Sequence, residues 1–315
     1  MLRFKARRLD PTKRETLTPS QTRFIRGIVR MWGNVREDVT ANERELVDSI
    51  LHRSPQLTLA LMPFEPLLDA QDFLYEELLA EVLDGGSRVK LPSIKKATVK
   101  FSFDRARPEA AQWANNNAGM LINNFNREQE VVLRDLITRA NMGELSVDTV
   151  GRELRNSIGL TSQQAEWVEN RWQREFTSRV RNGWSARDAE ALADQASSRY
   201  YEQVLRYRSE TIARTEILKA SHEGRREAWA QGIEGGWIGT DWEQEWDTAD
   251  DACEICAPFN GIRAPVNGTF PDGEPPLHPN CRCDVLLLPP NVPENIRNLS
   301  DEDLDDLLAQ LIEDL

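Results

Sequence analysis

The chain has 315 residues, 40% of them hydrophobic and 29% charged, a balance that excludes both a disordered polymer and a fibre. Its longest apolar runs, such as Val285-Leu286-Leu287-Leu288, fall far short of the roughly 20 residues that a membrane-spanning helix needs, so no membrane association is expected. The formal net charge of −13 is unevenly spread: residues 1–31 hold nine Lys/Arg against two acids, residues 237–288 two against ten, and residues 289–315 one against eight.

A phosphate backbone is bound by dense positive charge, so the acidic C-terminal segments make a poor nucleic-acid surface. The basic N-terminal arm is the segment that offers a DNA contact or meets an acidic protein, although a solvated arm of this composition needs neither. Its opening, Met1-Leu2-Arg3-Phe4-Lys5, leads to no apolar stretch and no small-residue cleavage site. No secretory signal is expected there, and synthesis in a cytoplasm is.

Residues 20–84 read as short helices, the clearest carrying Phe73, Leu74, Leu78, Leu79, Val82 and Leu83 and ending at Gly85-Gly86. Residues 97–103 alternate, with Ala97, Val99, Phe101 and Phe103 on one side, and predict one half-buried strand or extended arm. From Glu109 a long helical pattern runs through Leu121, Phe125, Val132, Leu136 and Ala140 until Gly143 closes it. Helix starts follow at Ser146, Thr161 and Ser185, where a hydroxyl can cap exposed amides and the residue three later can reach back. Ala165, Val168, Trp172, Phe176 and Val180 form one buried stripe behind Thr161, and Ala189, Leu192, Ala193, Ala196, Tyr200 and Val204 form another behind Ser185. The latter pattern continues to Gln231, well beyond the usual helix length, so a break or kink is expected near Arg208-Ser209.

After Gly235-Gly236 the period changes from 3.6 to 2. Ile238, Thr240, Trp242, Gln244 and Trp246 fall on one face of the predicted strand, and Asp241, Glu243, Glu245 and Asp247 form a solvated acidic face opposite. Trp237, Trp242 and Trp246 are expected to pack this strand onto the helices. Asn260-Gly261 and Asn267-Gly268 bracket Ile262 to Val266, a strong hairpin signal, and Val285 to Leu288 makes a third strand, giving a small meander.

All four cysteines, Cys253, Cys256, Cys281 and Cys283, fall in this segment, together with His278, one of only three histidines. The spacing is Cys-x2-Cys, then 21 residues, then His-x2-Cys-x-Cys. A Cys-x2-Cys turn presents two thiolates to one ion, and a second short pair across a loop completes a tetrahedron, which is how structural zinc is held. Four of the five residues are expected as ligands, and spacing alone does not choose among His278, Cys281 and Cys283. Paired disulfides or free thiols are the alternatives, with a reducing cytoplasm against the former. So small a sheet buries too little to stand alone, which gives a clamping ion a physical task.

Beyond Pro293, Ser300 is a natural N-cap for an acidic amphipathic helix with Leu304, Leu307, Leu308, Leu311 and Leu315 on one stripe. Such a helix suits a groove on its own chain or on a partner. The expected fold is α+β, a predominantly α-helical body with a small β-rich, zinc-stabilised C-terminal domain. Its parts are an N-terminal arm and helices (1–102), a helical body (103–234), a cysteine-rich β domain (235–290) and an acidic tail helix (291–315).

Ile212-Ala213-Arg214-Thr215-Glu216, the run from Trp237 to Asp247, Cys253-x2-Cys256, Gly261, Pro275-Pro276 and His278-Pro279-Asn280-Cys281-Arg282-Cys283 together carry a resemblance. They resemble the phage Mu F-like family of head morphogenesis proteins, the minor capsid proteins of tailed phages. The stretch from about Phe103 through Leu154-Arg155-Asn156-Ser157-Ile158-Gly159-Leu160-Thr161 is similar in layout, so the likeness covers about residues 103–288. It implies a virion component of low copy number that is made in the host cytoplasm, meets the portal protein at the head vertex and assists head assembly or DNA delivery. A major capsid or scaffold protein is a further implied partner. Arg214, Thr215 and Glu216 would form a structural hinge against the cysteine unit, and no enzymatic activity is implied.

Enzyme readings fare less well on the residues. A zinc deaminase needs His-x-Glu followed by Pro-Cys-x2-Cys, but here Glu223 directly follows His222 and Ala252 precedes Cys253. Glu243-Gln244-Glu245 has the Glu-x-Glu form of ADP-ribosyltransferases, yet it sits in the alternating acidic strand. The alternative kept open is a zinc-supported nuclease or other DNA-processing enzyme, with Asp247, Asp250 and Asp251 as candidate acids. A phosphate-cradling Gly-x4-Gly-Lys-Ser/Thr loop is absent.

Overall fold

The computed structural model describes residues 17–52, 55–91, 101–249 and 252–290. Most of the basic arm, Ala97 and Val99, Asp250 and Asp251, and the tail helix with its leucine stripe lie outside the described residues. Among the described residues eight helices precede the sheet: α1 (Pro19–Ala41), α2 (Glu43–Leu51), α3 (Pro55–Leu61), α4 (Glu65–Ser87), α5 (Pro108–Asn141), α6 (Val147–Ser157), α7 (Ser162–Arg181) and α8 (Ala186–Glu234). Strands β1 (Glu243–Asp247), β2 (Arg263–Pro265) and β3 (Asp284–Leu288) follow. The chain divides into two compact units, one of Met1–Thr22, Glu76–Asn115 and Thr211–Leu315, the other of Arg23–Tyr75 and Asn116–Glu210.

The second unit is all helical. Its core takes Phe24, Ile28, Trp32 and Val35 from α1, Leu133 and Ile137 from α5, and Val150 and Leu154 from α6. The capping residues act as their chemistry dictates: Ser146 Oγ accepts the Thr149 amide at 3.2 Å, and Thr161 and Gln164 form a reciprocal capping box. Ser185 Oγ likewise accepts the Asp188 amide at 3.1 Å. Between α6 and α7 the chain turns through Gly159 at φ +73°, where a Cβ would lie 2.6 Å from the Trp32 ring. Ile158 and Leu160 on either side are buried, and Tyr201 donates to the Ile158 carbonyl at 2.8 Å. Arg152 stacks 3.6 Å from the Trp172 ring and pairs with Glu169, an arrangement in which the guanidinium is satisfied by both a π face and a carboxylate.

Two stripes differ from expectation. On α7 only Val168 and Trp172 are buried, while Val180 is exposed, as is Trp184 just beyond the helix. On α8 it is Tyr201 that is buried rather than Tyr200, because its hydroxyl finds the Ile158 carbonyl.

In place of a break near Arg208-Ser209, α8 is one continuous helix of 49 residues. It contains no proline and no glycine before Gly224, and the Ser209 hydroxyl returns to the Leu205 carbonyl at 2.8 Å. Arg208, buried, pairs with Glu128. Nothing in the helix interior stops propagation, and tertiary contacts override the length prior.

In the first unit α4 ends at Ser87, one residue beyond the predicted Gly85-Gly86 stop. Both glycines face α8. A Cβ on Gly85 would lie 2.5 Å from the Ser221 carbonyl oxygen, and one on Gly224 would lie 1.9 Å from the Val82 carbonyl oxygen. The two backbones meet where side chains are absent. Gly224→Ala is therefore expected to lose about 3 kcal/mol or more of unfolding free energy in a denaturant titration. Gly33→Ala on α1, where a Cβ meets nothing within 4 Å, should be neutral or slightly stabilising.

The short helices predicted for residues 20–84 include α1 and α4 at 23 residues each. Residues 101–103 are irregular rather than a strand. The first half of the predicted 238–247 strand is a set of turns: the Trp237 and Ile238 amides both donate to the Gly232 carbonyl, at 2.7 and 3.1 Å, capping α8. The sheet is antiparallel in the order β2-β1-β3, so β1 is central and the three strands are not a meander. Glu245 lies opposite Arg263 on one side and Leu286 on the other. The acidic face is solvated only at its start, where Asp241 is exposed and Glu243 half-buried; Glu245 is 1% exposed and takes a 2.8 Å hydrogen bond from Arg263 Nε, and Asp247 is also buried.

Candidate metal centre

The core of the C-terminal unit is built on aromatics and thiols together. Trp229, Ile238, Trp242, Trp246, Phe270, Val285 and Leu287 cluster with Cys256, Cys281 and Cys283. Trp246 stacks on Phe259 at 4.8 Å and meets Phe270 edge-on at 5.3 Å. Trp242 and Trp246 pack as expected, whereas Trp237 is only partly buried, edge-on to Phe101 at 6.3 Å.

Cys253 and Cys256 belong to a turn closed by the Cys256 amide donating to the Cys253 carbonyl at 3.0 Å. His278 and Cys281 belong to a second turn of the same kind, closed by the Cys281 amide on the His278 carbonyl at 3.1 Å. Between the turns, His278 Nε2 lies 3.2 Å from Cys253 Sγ and 3.1 Å from Cys256 Sγ, and Cys256 Sγ lies 3.7 Å from Cys281 Sγ. All five residues singled out by spacing are thus brought to one place, in two triads that share Cys256: Cys253, Cys256 and His278, and Cys256, Cys281 and Cys283. Either triad has the donor set to hold a metal ion. The cysteines form no disulfide.

Electrostatics separates these side chains. Burial pushes the Cys256 thiol up to about 12. The Cys283 thiol donates to Cys281, which is held down to about 5 and is further supported by backbone hydrogen bonds, while Cys283 itself moves up. The Cys256 backbone lowers Cys253, and the Pro279 carbonyl raises His278. Crowded thiols that cannot all ionise side by side are the arrangement a cation relieves. His278 Nδ1 lies 2.8 Å from the Pro279 carbonyl oxygen; donation there leaves the Nε2 lone pair turned toward the cysteines, the tautomer a ligand needs.

The second turn is anchored to α8. The Asn280 amide donates to Thr215 Oγ1 at 3.2 Å and its side-chain nitrogen to Thr211 Oγ1 at 3.3 Å, with Asn280 itself at φ +60°. Asparagine tolerates that left-handed backbone better than other side chains, which accounts for its place in the turn. Thr215 of the Ala213-Arg214-Thr215-Glu216 run therefore touches the cysteine unit directly. Glu216 is buried and pairs with Lys219 at 2.8 Å.

Sequence reasoning missed a second anchor. Arg225 pairs with Asp284 at the start of β3, and His222 places Nε2 3.3 Å from the same carboxylate and Nδ1 3.0 Å from the Pro275 carbonyl oxygen. Burial would raise the Asp284 carboxyl, but Arg225 and His222 beside it hold it well below the usual carboxylate range. The available signal was the spacing of His222 and Arg225, which places them on one face of α8.

Of the candidate acids of an enzyme, those among the described residues are engaged or buried, Asp247 among them. Arg263 holds Glu245 and lies 3.5 Å from Glu243, so the Glu-x-Glu pair serves the sheet. Among the described residues no carboxylate joins a potential metal-binding group. None of the described helices is long and apolar enough to cross a membrane.

Residues 133–286 match the sequence pattern of the family described as phage Mu protein F like protein. Searches of curated proteins and of solved structures found no match.

Proposed function

We propose that this chain, whose residues 133–286 match the phage Mu F-like family, is a minor head morphogenesis protein of a tailed phage that docks at the portal vertex and assists head assembly or DNA delivery. The family match carries this reading, because the matched stretch takes in the C-terminal end of α5, all of α6 to α8 and the cysteine unit into β3. The protein acts by docking rather than by making or breaking bonds. Exposed Trp167, Trp184 and Tyr207 on the helical unit are of the side-chain types that anchor protein interfaces.

The ion held by the cysteine cluster is zinc, in a structural role. Three thiolates and an imidazole are the donors that zinc takes in closed tetrahedral sites. Bound there, it ties the turn carried by Thr211 and Thr215 to the turn before β2, and so fixes the sheet on α8. The portal is the principal partner, a major capsid or scaffold protein a further one, and the basic N-terminal arm supplies a DNA contact. Co-expression with the portal protein of the same phage tests the docking claim. The two should elute together in size-exclusion chromatography at moderate salt, and separate elution at all concentrations would refute it.

A further inference from the structure

We infer that the ligand set is Cys253, Cys256, His278 and Cys281, and that Cys283 is a core thiol rather than a ligand. This rests on the zinc reading above and goes one step further, because the two triads leave the fourth place open between Cys281 and Cys283.

Three observations decide it. First, the ligands come in two like turns: Cys253 with Cys256 and His278 with Cys281 are each three residues apart, and each turn is closed by the amide of the later residue on the carbonyl of the earlier, at 3.0 and 3.1 Å. A pair of such turns offers two donors from each side, the two-plus-two pattern of closed tetrahedral sites. Second, the distances around Cys256, which both triads share, are near those about one ion, and binding would draw Cys281 toward Cys253 and His278. With Zn–S about 2.3 Å and Zn–N about 2.0 Å, a tetrahedron has S–S edges of about 3.8 Å and S–N edges of about 3.5 Å. Cys256 to Cys281 is 3.7 Å, and the two sulfur–Nε2 distances are 3.1 and 3.2 Å.

Third, Cys283 has another place. It precedes β3, whose alternate residues Val285 and Leu287 face the Trp246 core, and Cys283 continues that inward row. It is 2% exposed among the apolar side chains of that core. A thiol is a suitable small apolar filler in that position.

The test is metal analysis of the full chain together with visible absorption after cobalt substitution, which reports the number of thiolates. Wild type should hold about one zinc per chain. Cys283→Ala should keep the metal and the full thiolate-to-cobalt intensity, whereas Cys281→His should keep the metal with that intensity reduced by about one third, one thiolate of three being lost. Loss of a third in Cys283→Ala, or undiminished intensity in Cys281→His, would overturn the assignment while leaving the zinc reading intact. A wild-type chain without metal would overturn both. Should Cys283→Ala fail to fold, the Cys281→His spectrum decides alone.

Discussion

Stripping the metal with a strong chelator is expected to unfold the segment from Glu243 to Leu288 cooperatively. The strands hold only five, three and five residues, and their core is made as much of cysteine turns as of apolar side chains. Structural zinc contributes about 10–16 kcal/mol of apparent binding free energy in small domains, as much as a whole domain's net stability of about 5–15 kcal/mol. Without the ion, the buried thiols Cys256, Cys281 and Cys283 remain, but nothing holds the first turn against the second. Tryptophan fluorescence reports the change, because Trp242 and Trp246 are almost fully buried here and become wet on unfolding. A red shift on chelation, reversed by added zinc, is the expected result. Unchanged fluorescence and an unchanged melting curve would show that packing alone sustains the sheet. Acid should mimic the chelator, since protonated thiols and imidazole release the metal.

The second large effect is expected at Arg225. Asp284 is largely buried, and its carboxylate is stabilised by Arg225 and His222 on α8. Arg225→Ala leaves that charge without its main partner and should cost about 3–5 kcal/mol in a denaturant titration. Replacing both partners with apolar residues of similar volume, Arg225→Met with Asp284→Leu, should restore most of the stability, because no uncompensated charge is then buried. If the double variant is as unstable as the single one, the pair does more than neutralise charge, and the anchoring account needs revision.

Much of the candidate site was legible because its information is local. A Cys-x2-Cys turn and a His-x2-Cys turn are set by their own backbone hydrogen bonds, so spacing alone gathered five donors that the fold does bring together. The caps at Ser146, Thr161 and Ser185, and the stops at Gly143 and Gly236, are local in the same sense. What escaped depends on residues far apart in the chain. Gly85 and Gly86 have the composition of a helix stop, and only the approach of Ser221 and Gly224 shows that they make room for a crossing backbone. The alternation of Glu243, Glu245 and Asp247 suggests a wet face, whereas Arg263, 18 residues beyond Glu245, arrives to cover it. Ile238 to Trp242 alternates like a strand, but the Gly232 carbonyl captures two successive amides and turns the chain instead. The central position of β1 follows from the return of β3 after the His278–Cys281 turn, a long-range pairing that no hairpin dipeptide encodes.

The match of residues 133–286 to the phage Mu F-like family makes assembly into a head the central claim, and the most direct measurement is quantitative mass spectrometry of purified particles of the encoding phage. Peptides from residues 101–290 should be present in mature heads or procapsids at a small fraction of the major capsid protein. Deletion of the gene should leave particles that are malformed or fail to deliver DNA. Absence of these peptides from both kinds of particle, with normal infectious heads formed in the deletion, would contradict the account.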